Sequence, residues 1–325
     1  MGDAVLLPII DLSAEDRLST VKRIRQACME YGFFYLVNHG IEEELFKRVF
    51  DESKKFFTLP LQEKMKVKRN NYRGYTEMYD EKLDPSVKSK GDLKESFYVG
   101  PSEDAKNSNL NQWPSEALVT RLIDHLGPSL MDNFDLGFSS NLQWKRSAGK
   151  RLLSLVALAL DLEEDFFEKV GAYPPMGFLR LLHYPGESTA LNDEIYGASS
   201  HSDYGMITLL ATDGIPGLQA CICQKKDSHP QVWEDVPHVK GAFIINVGDM
   251  TERWTNCLFR STLHRVIATG QERYSVAFFL EPKSDCVVEC LKTCCSETSP
   301  PRFPPIRSGD YLEERYRLTY ASLKI

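Results

Sequence analysis

From residue 178 onward the chain is a succession of short β-prone runs cut apart by turn residues, and that pattern leaves few folds open. The runs fall at 178–184, 200–212, 217–224, 232–236, 242–247, 261–268, 274–281 and 287–291. Apolar, β-branched and aromatic residues fill them, while Gly, Pro, Asn, Asp and Ser punctuate the gaps. Short strands at such spacing read as a jelly roll or a barrel.

The first half has a different period. Leu18, Val21, Ile24, Cys28 and Tyr31 sit at helical spacing within 14–31, and Leu45, Phe46, Val49, Phe50, Phe56 and Phe57 do so within 42–58. A strand at 33–37 lies between them, turned by Asn38-His39-Gly40, and Pro60 ends the second helix. The stretch 70–110 reads as loops around a short strand at 96–99. A buried helix near 150–161 and a short one near 163–170 close this half. The expected class is therefore mainly β with flanking helices (α+β).

One local spacing carries chemistry. His201-Ser202-Asp203 is followed about sixty residues later by His264. Two imidazoles and a carboxylate can hold a non-haem Fe(II) on one face and leave positions opposite for a co-substrate and O₂. On a strand, residues i and i+2 point to one side, so His201 and Asp203 could reach one ion. The same donor set with water also suits Zn²⁺. Nine residues past His264 comes Arg273-Tyr274-Ser275. Arg273 and Ser275 are again i and i+2, and a guanidinium fork beside a hydroxyl clamps a carboxylate. A dicarboxylate with one end on the metal and the other on Arg273 fits both features.

Longer runs frame these residues. They are Gly217-Leu218-Gln219, Trp233-Glu234-Asp235-Val236-Pro237, Asn246-Val247-Gly248-Asp249-Met250 and Ser261-Thr262-Leu263-His264-Arg265-Val266, preceded by Ile9-Ile10-Asp11-Leu12, Gly32-Phe33-Phe34-Tyr35-Leu36-Val37-Asn38-His39-Gly40 and Phe56-Phe57-Thr58-Leu59-Pro60. In this order they resemble the plant-type Fe(II)/2-oxoglutarate-dependent dioxygenases, the group of isopenicillin N synthase and 1-aminocyclopropane-1-carboxylate oxidase. The resemblance spans nearly the whole chain except a stretch near 120–150. It implies a double-stranded β-helix (jelly roll) core, with an N-terminal mixed α/β region at 1–120 and a catalytic region at 121–325 packed as one unit. It implies Fe(II), 2-oxoglutarate and O₂, with ascorbate as reductant, and a small-molecule substrate of plant specialised metabolism. Hydroxylation is the default outcome, with demethylation or desaturation by the same machinery.

The resemblance also assigns residues. His201, Asp203 and His264 become the iron ligands. Arg273 and Ser275 become the anchor for the distal carboxylate of 2-oxoglutarate. Tyr184 matches the Tyr of an Asn-x-Tyr element that hydrogen-bonds 2-oxoglutarate, although Leu182 stands at its Asn position. Arg73, Phe97 and Tyr98 fall where relatives line the substrate mouth. Two other readings stay open: a 2-oxoglutarate-independent oxidase like isopenicillin N synthase, and an inactive small-molecule-binding protein on the same fold. His39 and His183 read as structural, His125, His229 and His238 as solvated, and Asn246 as a turn or sheet-end residue in preference to one that approaches the iron site.

Composition narrows the partners. A net charge of −7 and a pI near 5.6 oppose binding to nucleic acid or an anionic membrane. The longest apolar run, 152–160, is about half of what a membrane helix needs. The first residues carry no basic n-region or cleavage site, Leu6 breaks a myristoylation motif, and the last residues are no peroxisomal signal. A cytoplasmic monomer is expected. In a chain this long without a signal peptide the eight cysteines read as reduced thiols, and the cluster Cys286, Cys290, Cys294 and Cys295 matches no zinc spacing. Gly127-Pro128 predicts a broken helix with an insertion looping out near 127–148.

Overall fold

Alternation along the β-runs sorts side chains onto two faces, and two sheets follow from it. The computed structural model describes residues 7–70, 72–84, 86, 91–100, 111–112, 148–172, 176–186, 196–222 and 231–321. Of the insertion expected near 127–148, residues 127–147 lie outside them, and Ala148 already belongs to a helix. The major sheet runs β1 (Ile9–Asp11), β2 (Phe33–Val37), β10 (Phe243–Val247), β7 (Ile207–Thr212), β12 (Arg273–Glu281), β5 (Met176–Tyr184), β4 (Glu95–Val99) and β3 (Gly74–Thr76). The minor sheet runs β6 (Tyr196–His201), β11 (His264–Ile267), β8 (Leu218–Cys221) and β9 (Trp233–Asp235). Every pairing in both is antiparallel except β1 with β2. The four-strand block β10-β7-β12-β5 and the minor sheet form the jelly roll, and the N-terminal strands extend the larger sheet at both edges.

Helices flank the two sheets. They are α1 (Arg17–Glu30), α2 (Glu43–Phe57), α3 (Leu61–Met65), α4 (Ala148–Ala159), α5 (Phe166–Lys169), α6 (Asp249–Trp254) and α7 (Ser308–Ala321). Of these, α1, α2 and α4 pack in the apolar cluster outside the major sheet, and α7 lies on the cavity side, where Tyr316 lines the wall. Asp16 caps α1, accepting from the Ser19 amide at 3.0 Å. In α2 the acidic pair Glu43 and Glu44 opens the helix and Lys54 and Lys55 close it, matching the macrodipole. Its Leu45, Val49, Phe56 and Phe57 meet Tyr274, Val276, Phe278 and Leu280 of β12 in one apolar cluster. Each such side chain contributes about 1.5–3 kcal/mol of burial. The odd-numbered residues of β12 face the other way, into the space between the sheets.

Three differences from the sequence reading matter. The run 200–212 is not one strand: it divides between β6 and β7, which belong to different sheets. The run 287–291 pairs only at β13 (Val287–Val288), with β14 (Ile306–Arg307). α7 has no counterpart among the expected elements, because its inward face carries one aliphatic residue, Leu312, among Ser308, Thr319 and the half-buried Tyr311, Tyr316 and Tyr320. Among the described residues no helix is long and apolar enough to cross a membrane.

Candidate metal centre

His201 is the last residue of β6, and the chain then leaves the minor sheet. Residues 202–206 cross to the major sheet, where β7 begins at Ile207. Asp203 lies in this crossover, so strand alternation does not aim its carboxylate. Backbone bonds to the start of α6 do. The Asp249 amide donates to the Asp203 carbonyl at 2.8 Å, the Gly248 amide to Met206 at 2.8 Å, and the Met250 amide to Gly205 at 3.0 Å. The approach is so close that a Cβ at Gly248 would stand 2.3 Å from the Gly205 carbonyl oxygen. His264 opens β11 directly opposite His201 in the pairing register.

The three side chains converge. Asp203 Oδ1 stands 3.8 Å from His201 Nε2 and 3.6 Å from His264 Nε2. The other ring nitrogens are engaged: His201 Nδ1 lies 2.7 Å from the Ser199 carbonyl and His264 Nδ1 lies 3.1 Å from that of Thr262. A carbonyl can only accept, so each Nδ1 carries the proton and each Nε2 offers a lone pair. Asp203 Oδ2 accepts from Asn246 Nδ2 at 2.7 Å and from the Thr208 hydroxyl, which leaves Oδ1 turned to the imidazoles. Burial, then the neighbouring His264, pushes the His201 imidazole well below its ordinary range, so it stays neutral. Burial alone would raise the Asp203 carboxyl. The two imidazoles and the hydrogen bonds from Asn246 and Thr208 outweigh that and hold it low.

Two imidazole nitrogens and one carboxylate oxygen, all within 4.8 Å of one another, fit a divalent first-row ion such as Fe(II). Among the described residues this is the one group of three or more such side chains placed to hold a metal. Cys286, Cys290, Cys294 and Cys295 form no second one, and the seven described cysteines are free thiols.

The triad opens onto a cavity that Tyr184, Arg273 and Ser275 also line. Arg273 is buried. Its Nη1 lies 3.4 Å from Ser275 Oγ, its Nε donates to the Ile215 carbonyl at 3.2 Å, and its guanidinium lies over the Tyr184 ring. No ion-pair partner accompanies it among the described residues. A buried cation so placed is stabilised by an anion entering the cavity.

Tyr98 lines the same cavity, with the Arg180 guanidinium 4.4 Å above its ring. Phe97 does not. On β4 the residues alternate, so Phe97 faces the helices and packs on Phe56 at 4.9 Å between ring centroids. Arg73 also stays outside the wall, tucked against Gly100 and over the Phe178 ring. His183 bonds Glu95 and Glu272, His39 is buried, and His238 is exposed on Thr212. Of the two residues that orient Asp203, Thr208 escapes the sequence reading, and Asn246 stands beside the metal ligands rather than serving only as a turn or sheet-end residue. The signal for Asn246 was a lone amide amid the apolar residues of β10. A buried charge cluster was also missed: Glu81 meets Arg180 at 2.6 Å and Lys94 at 2.8 Å, and Lys94 meets Asp92 at 2.6 Å.

Residues 175–282 match the model of the 2OG-Fe(II) oxygenase superfamily, and residues 7–116 match that of the non-haem dioxygenase in morphine synthesis N-terminal region. Kihadalactone A synthase of Citrus sinensis is 40% identical over 320 residues, covering 96% of this chain and 91% of that protein. Azadirone synthase of Melia azedarach is 39% identical over 327 residues, covering 97% and 93%. The crystal structure of JOX2 in complex with 2OG, Fe and JA superimposes with a TM-score of 0.76 at 30% identity, covering 97% of this chain and 85% of that one.

Proposed function

From the chain's membership of the 2OG-Fe(II) oxygenase superfamily, we propose that His201, Asp203 and His264 hold its Fe(II) and that Arg273, Ser275 and Tyr184 hold its 2-oxoglutarate. The enzyme is an Fe(II)- and 2-oxoglutarate-dependent oxygenase acting on a small molecule. Bound together, the metal, 2-oxoglutarate and O₂ supply an oxidative decarboxylation that yields succinate and CO₂ and drives attack on a substrate C–H bond, with ascorbate as reductant. The observation that carries the residue assignment is the division of labour on Asp203, whose Oδ2 is saturated by Asn246 and Thr208 while Oδ1 faces two bare imidazole nitrogens.

The chain's own residues prepare the rest. Arg273 and Ser275 grip the far carboxylate of 2-oxoglutarate, and Tyr184 packs under the guanidinium. Leu182, Leu210, Leu218 and Val266 line the wall and keep water from the reacting centre. The product is a hydroxylated, demethylated or desaturated metabolite of plant specialised metabolism, a reading supported by the Citrus and Melia relatives. A cytoplasmic location fits the free thiols.

The test is succinate release from purified protein given Fe(II), ascorbate and 2-oxoglutarate. His201→Ala, Asp203→Ala and His264→Ala are each expected to abolish it with Tm retained, because a three-ligand face has no spare donor. Turnover like that of the wild type in any of the three would overturn the assignment.

A further inference from the structure

β12 presents Arg273, Ser275, Ala277, Phe279 and Glu281 to the cavity. Arg273 takes one end of that row and Glu281 the other. Glu281 is only 3% exposed, and its Oε2 has no hydrogen-bond partner among the described residues. A buried carboxyl oxygen left so is held against the stability of the fold, which points to a partner that arrives with a ligand. The chain brings no counter-charge for it. Glu81 and Asp92 already match Lys94 and Arg180, and Glu281 forms no ion pair among the described residues.

The surroundings narrow the partner. Leu182, Leu210, Leu218, Val266 and Phe279 give the cavity an apolar body. An ammonium group would find the faces of Tyr98 and Tyr204 already taken by Arg180 and Arg315, at 4.4 and 4.5 Å. A carboxylate would meet the charge of Asp203. Resting on the oxygenase reading above, we propose that Glu281 selects the substrate by hydrogen-bonding a hydroxyl group on a neutral, otherwise apolar small molecule.

Four probes on one carbon frame test this: methylcyclohexane, cyclohexylmethanol, cyclohexylmethylamine and cyclohexanecarboxylic acid. Their affinity is measured by equilibrium dialysis against the full chain loaded anaerobically with Fe(II) and 2-oxoglutarate. The alcohol is expected to bind best. Glu281→Leu should weaken the alcohol about tenfold, the worth of one such hydrogen bond, and leave the hydrocarbon unchanged. Glu281→Gln, which keeps hydrogen bonding, should retain the alcohol. The Tm of Glu281→Leu without probe should rise, since an unpartnered buried carboxyl has been removed. A fall in that Tm makes Glu281 a structural residue and overturns the proposal. So does equal binding of alcohol and hydrocarbon, a preference for amine or acid, an unchanged alcohol affinity in Glu281→Leu, or no binding by any of the four. Succinate formation by the wild type without probe tests the oxygenase reading separately, so the two can fail independently.

Discussion

The carboxylate of Asp203 has two oxygens, and the chain uses them differently. Oδ2 is spent on Asn246 and Thr208, which fixes the plane in which Oδ1 meets the imidazoles. Groups that orient a metal ligand from behind typically contribute 10–100-fold in affinity. Asn246→Leu is therefore expected to weaken Fe(II) binding by about that range, read by anaerobic titration, with the fold intact. An unchanged Fe(II) affinity would mean Asn246 only fills β10. At the other end of the cavity, Arg273→Ala should raise the KM for 2-oxoglutarate far more than that for substrate, since losing one partner of a buried charged contact costs about 2–5 kcal/mol. Weakened substrate binding with an unchanged 2-oxoglutarate KM would instead make Arg273 a substrate residue. Glu281 adds a pH dependence. Burial first, then the charge of Asp203, pushes its carboxyl up to about 8 from 4.5. Between those values the folded, metal-free chain keeps a proton that the unfolded chain has released. Its stability therefore falls as pH rises through that window, by at most about 1.4 kcal/mol per pH unit. Glu281→Gln removes this contribution, so urea midpoints across the window should slope less in the variant. Equal slopes would refute it.

At the scale of elements, the crossover between β6 and β7 does what strand alternation was expected to do. Its close contact with the N-terminus of α6 leaves no room for a methyl group at Gly248. Gly248→Ala is expected to push the crossover away, costing about 1–3 kcal/mol by overpacking, and to lower Fe(II) affinity through Asp203 without touching a ligand. Wild-type Fe(II) affinity and Tm in Gly248→Ala would show that the contact relaxes freely. This element also explains where reading the sequence stops. His201, Asp203 and His264 are legible because a triad needs only residue types, order and framing runs. What aims Asp203 is not legible, since its backbone partner Asp249 lies in a separate helix. The same limit explains Phe97 and Tyr98: both suit a substrate mouth by position, and only the register of β4 on β5 decides that Tyr98 faces the cavity. The major strands of the jelly roll and helices α1 and α2 are legible from period alone. α7 is not, because tyrosines, glutamates and arginines give a faint helical period.

Across the whole molecule, one buried carboxylate joins parts that are far apart in sequence. Glu81 follows β3. It takes Lys94 from the approach to β4, Arg180 from β5, and the Tyr320 hydroxyl of α7 at 2.8 Å. Lys94 continues to Asp92, and Asp92 accepts from the Ser199 amide of β6 at 3.1 Å. The cluster thus ties the N-terminal strands, both sheets and the last helix around one wall of the cavity. Arg180 and Lys94 hold the Glu81 carboxyl far below its ordinary range despite its burial, so protonation does not open the cluster until strongly acidic pH. Removing the carboxylate is a different matter. Glu81→Ala leaves Arg180 buried without its acid and Lys94 with Asp92 alone, and breaking such a pair costs about 3–5 kcal/mol. That is a large fraction of the roughly 5–15 kcal/mol that holds a typical domain folded. The Tm should fall by several degrees. The damage should also be directional, because Tyr320 loses its acceptor and α7 loses a tie to β5. Trypsin is then expected to cut at Arg315 and Arg317 sooner in Glu81→Ala than in the wild type, before sites in α2 are reached. A lowered Tm with unchanged cutting order would mean that α7 is held by its tyrosine packing, through Tyr316 on Tyr72 and Tyr204, rather than through Glu81.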